Sequence, residues 1–244
     1  MLQNTPKFNF PEGELLLIDK PLEWSSFHVV NKIRNSILRK LKMRKLKVGH
    51  AGTLDPLATG LLIICTGKFT KKIESFQAQE KEYTGTFYLG ASTPSFDCET
   101  EIDQTYPTEH ISRELVIQTA EKFTGEIEQI PPLFSAIMVE GVRAYQHARN
   151  NKEIMLKSRK VTIDEFEITR MELPEIDFRV TCSKGTYIRS LARDFGKALN
   201  SGAYLKSLTR TRIGEFKLAN SMSIEEFLKQ LDLAYPEANV KKNN

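Results

Sequence analysis

The chain has 244 residues, 40% of them hydrophobic, and a formal net charge of +4. This composition is typical of a globular protein with a substantial core, and no apolar stretch approaches the ~20 residues of a membrane-spanning helix. The N-terminus lacks the basic-then-apolar order of a secretory signal, so we expect a cytoplasmic protein without a membrane partner.

Cysteines and histidines indicate neither a disulfide framework nor a metal site. Cys65, Cys98 and Cys182 are odd in number and far apart, and the four histidines show no metal-ligand spacing. Elbow motifs around a nucleophilic serine, zinc-protease motifs and phosphate-binding loops are also absent from the sequence. We therefore expect chemistry that needs no metal and no cofactor.

Charge is distributed unevenly along the chain. Residues 24–54 contain eight Lys or Arg and no acid, whereas residues 97–128 contain nine acids and two basic residues. This segregation is compatible with a basic face that binds a polyanion such as nucleic acid, although a short run of charge is also an ordinary solvated surface.

In chain order, periodicity and turn residues predict alternating strands and helices. The predicted strands cover residues 14–20, 61–65, 81–89, 135–139, 161–168, 176–182, 204–209 and 212–217. The predicted helices cover a segment capped by Ser25 or Ser26 and ending near Leu41, then residues 70–76, 112–123, 143–149, 188–199 and 223–231. This order, with no repeat and no clear linker, favours one α+β domain with a mixed, largely antiparallel sheet flanked by helices.

Residues 47–60 form the most unusual stretch, because they combine three glycines with His50, Asp55 and Pro56. Gly49 and Gly52 are expected to adopt backbone angles closed to other residues, and Pro56 holds Asp55 extended. The carboxylate is thereby placed at the edge of the buried strand that follows. Taken alone, the stretch is more typical of a turn than of an active site.

A second glycine-marked junction, residues 183–189, precedes the helix of residues 188–199. Its Arg189, Arg193 and Lys197, at steps of four, predict a basic stripe that can meet phosphate.

The segment GHAGTLDPLATG at residues 49–60 resembles the signature of the TruB family of tRNA pseudouridine synthases, which isomerise uridine 55 in the T loop of tRNA. Three further blocks match in order, at residues 17–21, 81–83 and 182–191. The resemblance implies the pseudouridine synthase fold, with residues 131–160 as an RNA-gripping insertion.

Residue roles are carried over from this resemblance by position. It implies that Asp55 is the essential carboxylate, that Tyr187 lies near the atoms that exchange protons, and that Arg189 pairs with Asp55. It also implies a set of substrate-binding residues that open the T loop, stack on the target base or support the pocket: His50, Tyr83, Lys20 and Leu208. The expected RNA-binding residues are the basic ones before the glycine loop and in the insertion: Lys42, Arg44, Lys45, Lys47, Arg143, Arg149, Lys152 and Lys157.

Few residues follow Arg212, so we expect a catalytic domain at residues 1–232, a polar, disordered tail at residues 233–244, and no C-terminal PUA domain. That departure from many family members favours a stand-alone bacterial-type enzyme. We expect it to be a monomer that binds the T stem-loop of tRNA without guide RNA. Two other interpretations stay open: a tRNA-binding or folding factor without catalysis, and a small-molecule hydrolase that uses Asp55 as its nucleophile.

Overall fold

The structure is a computed structural model that describes residues 8–135, 137–139, 141–149 and 154–236. Thirteen strands occur in these ranges: β1 Leu15–Lys20, β2 Val48–His50, β3 Ala58–Thr66, β4 Lys81–Leu89, β5 Ala91–Ser92, β6 Gln104–Thr105, β7 Gly125–Gln129, β8 Met138–Val139, β9 Val142–Arg143, β10 Arg159–Glu172, β11 Glu175–Cys182, β12 Ala203–Ile213 and β13 Phe216–Lys217. The α-helices of the same ranges are α1 Ser26–Lys40, α2 Ile73–Ala78, α3 Arg113–Lys122, α4 Ala144–Arg149, α5 Ile188–Ala198 and α6 Ile224–Ala234. Strand pairing is largely antiparallel, so the fold is α+β as predicted.

The chain divides into two compact units, one formed by residues 1–78 with 211–244 and the other by residues 79–210. The first unit is built on the antiparallel pair β1–β3, whose register runs from Leu15 opposite Cys65 to Lys20 opposite Gly60. Strand β2 pairs with the other edge of β3. Strand β3 is buried on both faces, which explains its continuous apolar run.

Helices α1 and α6 cover one face of this strand pair. Val30, Ile33 and Ile37 of α1 and Phe227 of α6 pack with Ile64 of β3 in one buried cluster. Ser25 caps α1 by accepting a hydrogen bond from the His28 amide, so Ser25 rather than Ser26 is the N-cap. Helix α6 extends three residues beyond the predicted end at residue 231, and Tyr235 donates its hydroxyl hydrogen to the Phe8 carbonyl at 2.6 Å. The remainder of the expected tail, residues 237–244, lies outside the described residues.

The second unit contains the antiparallel strands β4, β11, β10 and β7, with β12 beside β4. Its core centres on an aromatic cluster. The ring centroids of Phe87 and Phe178 lie 4.2 Å apart, and those of Phe166 and Phe195 lie 5.4 Å apart. Gly85 of β4 lies so close to β12 that an added Cβ would come within 2.3 Å of the Ser207 carbonyl oxygen. Here glycine is required by a close backbone approach rather than by its backbone angles.

Several predicted boundaries were wrong. Residues 204–217 were expected to form two strands, but β12 continues without interruption to Ile213 and only the short β13 follows. Strand β7 was missed, since its alternating acids are typical of a polar edge rather than of a strand core. Of the described residues in the predicted strand 135–139, only those of β8 form a strand, and β8 pairs with β9 over two residues.

No helix within the described ranges is long and apolar enough to cross a membrane. Across the same residues, no group of three or more His, Cys, Asp or Glu side chains is arranged to hold a metal ion.

Candidate active site

The Asp55 loop, residues 51–57, connects β2 to β3. The ladder with β3 continues through Ala51, whose amide donates to the Ile63 carbonyl at 2.9 Å, and the chain then turns at Gly52 with a φ of 107°. That positive angle confirms the expected role of Gly52. Gly49 does not share this positive φ. A side chain is disfavoured there by packing instead, because an added Cβ would lie 2.7 Å from the Cδ1 atom of Ile73.

The two residues that flank Asp55 are both tied to the segment that follows β1. Ser26 donates its hydroxyl hydrogen to the Leu54 carbonyl at 3.0 Å and accepts from the Leu54 amide at 2.8 Å. On the other side, the Pro56 carbonyl accepts from the Glu23 amide at 2.8 Å. Asp55 itself is half-buried, and its carbonyl accepts from the Ala58 amide at 3.1 Å. The loop is therefore anchored on both sides of the carboxylate.

Lys20 is fully buried at the end of β1. Its ammonium donates to the carbonyls of Trp24 at 2.6 Å, Pro21 at 2.8 Å and Pro56 at 3.3 Å. A buried ammonium is stable only where its donors are satisfied. The carbonyls of Pro21 and Trp24 lie on the segment after β1, whereas the Pro56 carbonyl belongs to the Asp55 loop. Lys20 thus contacts the main chain of the Asp55 loop, and its role in supporting a substrate pocket stays a prediction.

His50 is the last residue of β2, lies opposite Ile64 and is half-buried. The basic residues before it lie on the connection from α1, and all four side chains are exposed: Lys42, Arg44, Lys45 and Lys47. Exposure is what contact with a phosphate backbone requires, and RNA binding by these side chains stays a prediction.

Tyr187 lies in the second unit, at the N-terminus of α5. Its backbone is held by the fully buried Gln129, which accepts from the Tyr187 amide at 2.8 Å and donates to the Tyr187 carbonyl at 3.1 Å. The guanidinium of Arg159 lies over the Tyr187 ring, 4.4 Å from its centroid, and donates to the Gly185 carbonyl. Both contacts fix the backbone and the ring direction of Tyr187.

Arg189, two residues further along the chain, is buried with only 4% of its surface exposed. Its guanidinium forms an ion pair with the equally buried Asp97 at 3.5 Å and donates to the Phe134 carbonyl at 2.9 Å and the Ser95 carbonyl at 3.4 Å. Three partners on different sides fix the plane of the guanidinium. The expected pairing of Arg189 with Asp55 stays a prediction.

The basic stripe predicted along α5 was wrong. Arg189 is buried, and Arg193 is engaged by Asp194 through two hydrogen bonds of 2.7 and 3.0 Å while its guanidinium lies 4.8 Å from the Phe96 ring centroid. Helical spacing correctly placed both arginines on one side of the helix, but both pack against protein, and of the three predicted residues only Lys197 is exposed.

Tyr83 is buried in β4 opposite Val180, and Leu208 is half-buried in β12. Two residues before Tyr83, burial and then the positive charge of Arg210 lower the pKa of Lys81 from 10.5 to about 8. Burial also raises the pKa of the Cys182 thiol, which lies opposite Lys81 in the register, to about 12. The strand end beside Tyr83 is therefore a buried, basic environment.

The basic residues of the expected RNA-gripping insertion are only partly described. Lys157 is exposed, whereas Arg143 and Arg149 are described only as backbone positions of β9 and α4. Lys152 lies outside the described residues. The insertion therefore stays a prediction.

Three residues that hydrogen-bond or pair with candidate site segments were missed from the sequence: Ser26, Asp97 and Gln129. Ser26 was considered only as a helix cap, Asp97 was one acid of an acidic stretch, and Gln129 preceded two prolines without any motif. The sequence offers only a weak signal for such residues, because the role of a polar residue beside an apolar run cannot be predicted until its hydrogen-bond partner is known.

A family model described as the N-terminal domain of the TruB family of pseudouridylate synthases matches residues 39–188. The chain belongs to the TruB family. The matched range contains Asp55, Tyr83, Gln129 and Tyr187. This membership displaces the interpretation as a small-molecule hydrolase, because the glycine loop is explained by the family signature.

Individual TruB relatives are similar over almost their whole length. A protein of Flavobacterium johnsoniae named tRNA pseudouridine synthase B is 62% identical over 228 residues, which cover 93% of this chain and 99% of that protein. One of the same name from Phocaeicola vulgatus is 62% identical over 224 residues, with 92% and 95% covered.

Among solved structures, a chain of a Cbf5-Nop10-Gar1 complex matches with a TM-score of 0.69 and 28% identity over 90% of this TruB-family chain. The match covers 54% of that protein, so the chain spans about half its length. The pseudouridine synthase fold is thereby confirmed.

Proposed function

We propose that this protein isomerises uridine 55 in the T loop of tRNA to pseudouridine, with Asp55 as the essential carboxylate. The observation that carries the proposal is the geometry of the Asp55 loop, which contains the family signature. Asp55 is half-buried, and the main chain on both sides of it is hydrogen-bonded by Ser26, Lys20 and Glu23. Relatives named tRNA pseudouridine synthase B, 62% identical over nearly all of their length, support tRNA as the substrate.

The reaction is an isomerisation that needs no second substrate. The bond from N1 of uracil to the ribose C1′ breaks, the base turns, C5 joins C1′, and the proton lost from C5 is balanced by one gained at N1. A uridine stacked within the T loop must first leave the stack, and unstacking costs a few kcal/mol. Aromatic faces offset that cost by stacking on the flipped base.

Each site residue has a role in this proposal. Tyr83 stacks on the uracil, and Leu208 lines the pocket. Tyr187, whose backbone is held by Gln129, lies against the other side of the base near C5 and N1, and Arg189 keeps the Asp55 carboxylate ionised and aimed.

Outside the pocket, His50 enters the T loop and stabilises its opened form, and Lys20 supports the Asp55 loop. The exposed lysines and arginine of residues 42–47 bind the tRNA backbone together with Arg143, Arg149, Lys152 and Lys157 of the insertion. The protein acts as a monomer in the cytoplasm, without guide RNA, metal or cofactor.

The test is pseudouridine formation in unmodified tRNA by wild-type protein and by Asp55→Asn. We expect wild type to modify position 55 without added factors and Asp55→Asn to bind tRNA without modifying it. Asp164→Asn, which changes an exposed acid on β10, serves as the matched control and should retain wild-type activity. Modification by Asp55→Asn at the wild-type rate would show that Asp55 is not the essential group, and an inactive wild type that binds tRNA would favour the folding factor.

The RNA-binding surface is tested separately by charge reversal at Arg149, Lys152 and Lys157. Removing phosphate contacts should weaken tRNA affinity and reduce its dependence on salt, while the rate at saturating protein stays close to wild type. Unchanged affinity would remove the insertion from the RNA site.

A further inference from the structure

The hydroxyl of Ser26 makes an unusual pair of contacts. It bonds both main-chain groups of one residue, Leu54, with distances of 2.8 Å to the amide nitrogen and 3.0 Å to the carbonyl oxygen. Ser26 is 2% exposed and Leu54 is 4% exposed, so both bonds lie away from solvent. Leu54 is the residue immediately before Asp55.

We propose that Ser26 is a positioning residue that sets the direction of the Asp55 carboxylate through the main chain of Leu54. This inference rests on the proposed function of Asp55. A hydroxyl that donates and accepts at the same residue fixes both the position and the rotation of that peptide segment. Since the Cα–Cβ direction of Asp55 follows from the peptide plane before it, a rotation at Leu54 moves the carboxylate.

Capping of α1 does not account for these contacts. Ser25 fills the N-cap position and satisfies the His28 amide at 3.1 Å, whereas Ser26 is the first residue of the helix and directs its hydroxyl to the loop. The sequence places two serines side by side, and the structure gives them different partners. Ser25 therefore provides a matched control, with the same side chain, the same helix end and a hydrogen bond to a different segment.

The anchors on the other side of Asp55 make Ser26 the sensitive point. Pro56 is held from two directions, by the Lys20 ammonium at 3.3 Å and the Glu23 amide at 2.8 Å. When the bonds to Leu54 are removed, the loop remains attached at Pro56 and can pivot about it. The expected result is a displaced carboxylate on a folded protein.

The experiment compares Ser26→Ala and Ser25→Ala with wild type. The rate constant for pseudouridine formation is measured in a single turnover with saturating protein on unmodified tRNA, and the tRNA dissociation constant and thermal unfolding are measured in parallel. A misplacement of ~1 Å costs up to about 100-fold in rate, so we expect Ser26→Ala to be slower by about 10-fold to 100-fold with an affinity within about threefold. Ser25→Ala should retain the rate within about twofold, although losing a cap lowers its stability.

Two further measurements separate positioning from folding. Hydrogen exchange at the Leu54 amide, followed by NMR, should accelerate at least about tenfold in Ser26→Ala and stay unchanged in Ser25→Ala, because only the first variant removes its acceptor. Ser26→Thr keeps the hydroxyl and should recover part of the rate. If Ser26→Ala is insoluble, Ser26→Cys replaces it with the same limits, since a thiol donates only weakly.

A rate for Ser26→Ala within twofold of wild type would overturn the proposal, and so would equal losses in the two alanine variants. Wild-type protein that forms no pseudouridine would instead overturn the proposed function. An active wild type with an unaffected Ser26→Ala variant would overturn the role of Ser26 alone.

Discussion

Replacing Gln129 by Met tests whether the backbone of Tyr187 depends on one buried amide. Methionine has a similar volume and no hydrogen-bonding amide, so the change removes two hydrogen bonds with little change in packing. The Tyr187 carbonyl still accepts from the Leu191 amide at 3.0 Å, but the Tyr187 amide loses its bond to Gln129.

The expected magnitude follows from these two bonds. A buried donor left unsatisfied costs about 1–3 kcal/mol, and the lost bond to the carbonyl contributes about 0.5–1.5 kcal/mol. We therefore expect Gln129→Met to lower the free energy of unfolding by about 1.5–4.5 kcal/mol. For a chain of this size that corresponds to a fall in Tm of roughly 10 °C. Turnover should fall as well, because Tyr187 shifts within the proposed pocket.

The assay is urea unfolding followed by circular dichroism, with single-turnover pseudouridine formation measured below the transition. Gln118→Met, at an exposed position on α3, makes the same chemical change outside the core and should stay within about 0.5 kcal/mol of wild type. A Gln129→Met variant as stable as the Gln118→Met control would refute the reasoning.

Three other predictions follow from buried groups. The pKa of Lys81 is lowered to about 8 in the folded protein and is 10.5 when unperturbed, so between these pH values the unfolded state binds more protons than the folded state. The free energy of unfolding of wild type should therefore rise from pH 8 to pH 10 relative to that of Lys81→Met. Urea unfolding at each pH measures this difference, and a difference that stays constant would contradict the prediction. Gly85→Ala should destabilise the second unit by at least about 2 kcal/mol, since its Cβ meets the Ser207 carbonyl, and a Tm equal to wild type would exclude that clash. Of the three cysteines only Cys98 is exposed, so native protein should react with a thiol reagent at one site and Cys98→Ser at none, with all remaining thiols reacting after unfolding.

The sequence by itself determined the elements whose cause is local. The helices predicted to begin at residues 112 and 223 do begin there, with Ser112 and Ser223 as the N-caps of α3 and α6, and Gly52 turns the chain with a positive φ. The continuous apolar run of β3 correctly indicated a strand buried on both faces. Family membership was also determined at this level, because the glycine loop and the three blocks around it form an ordered pattern.

Only the tertiary structure decided which polar residues act together. Gln129 and Tyr187 are 58 residues apart, and Arg189 lies 92 positions beyond its ion-pair partner Asp97 by the difference of their numbers. A single sequence does not show which distant residues meet, because the partner of a buried polar group depends on how the strands pair. For the same reason, the side of α5 that carries Arg189 and Arg193 was taken for a solvent-exposed face.

The different partners of Ser25 and Ser26 show most directly what can be predicted from the sequence and what cannot. Helix capping depends on the backbone within one turn, so the sequence can predict that one of two adjacent serines is the cap. The bond from the other serine to Leu54 joins residues 28 positions apart and exists only because α1 packs beside the Asp55 loop. Local chemistry thus identified the residues of the loop, and long-range packing determined how its carboxylate is held.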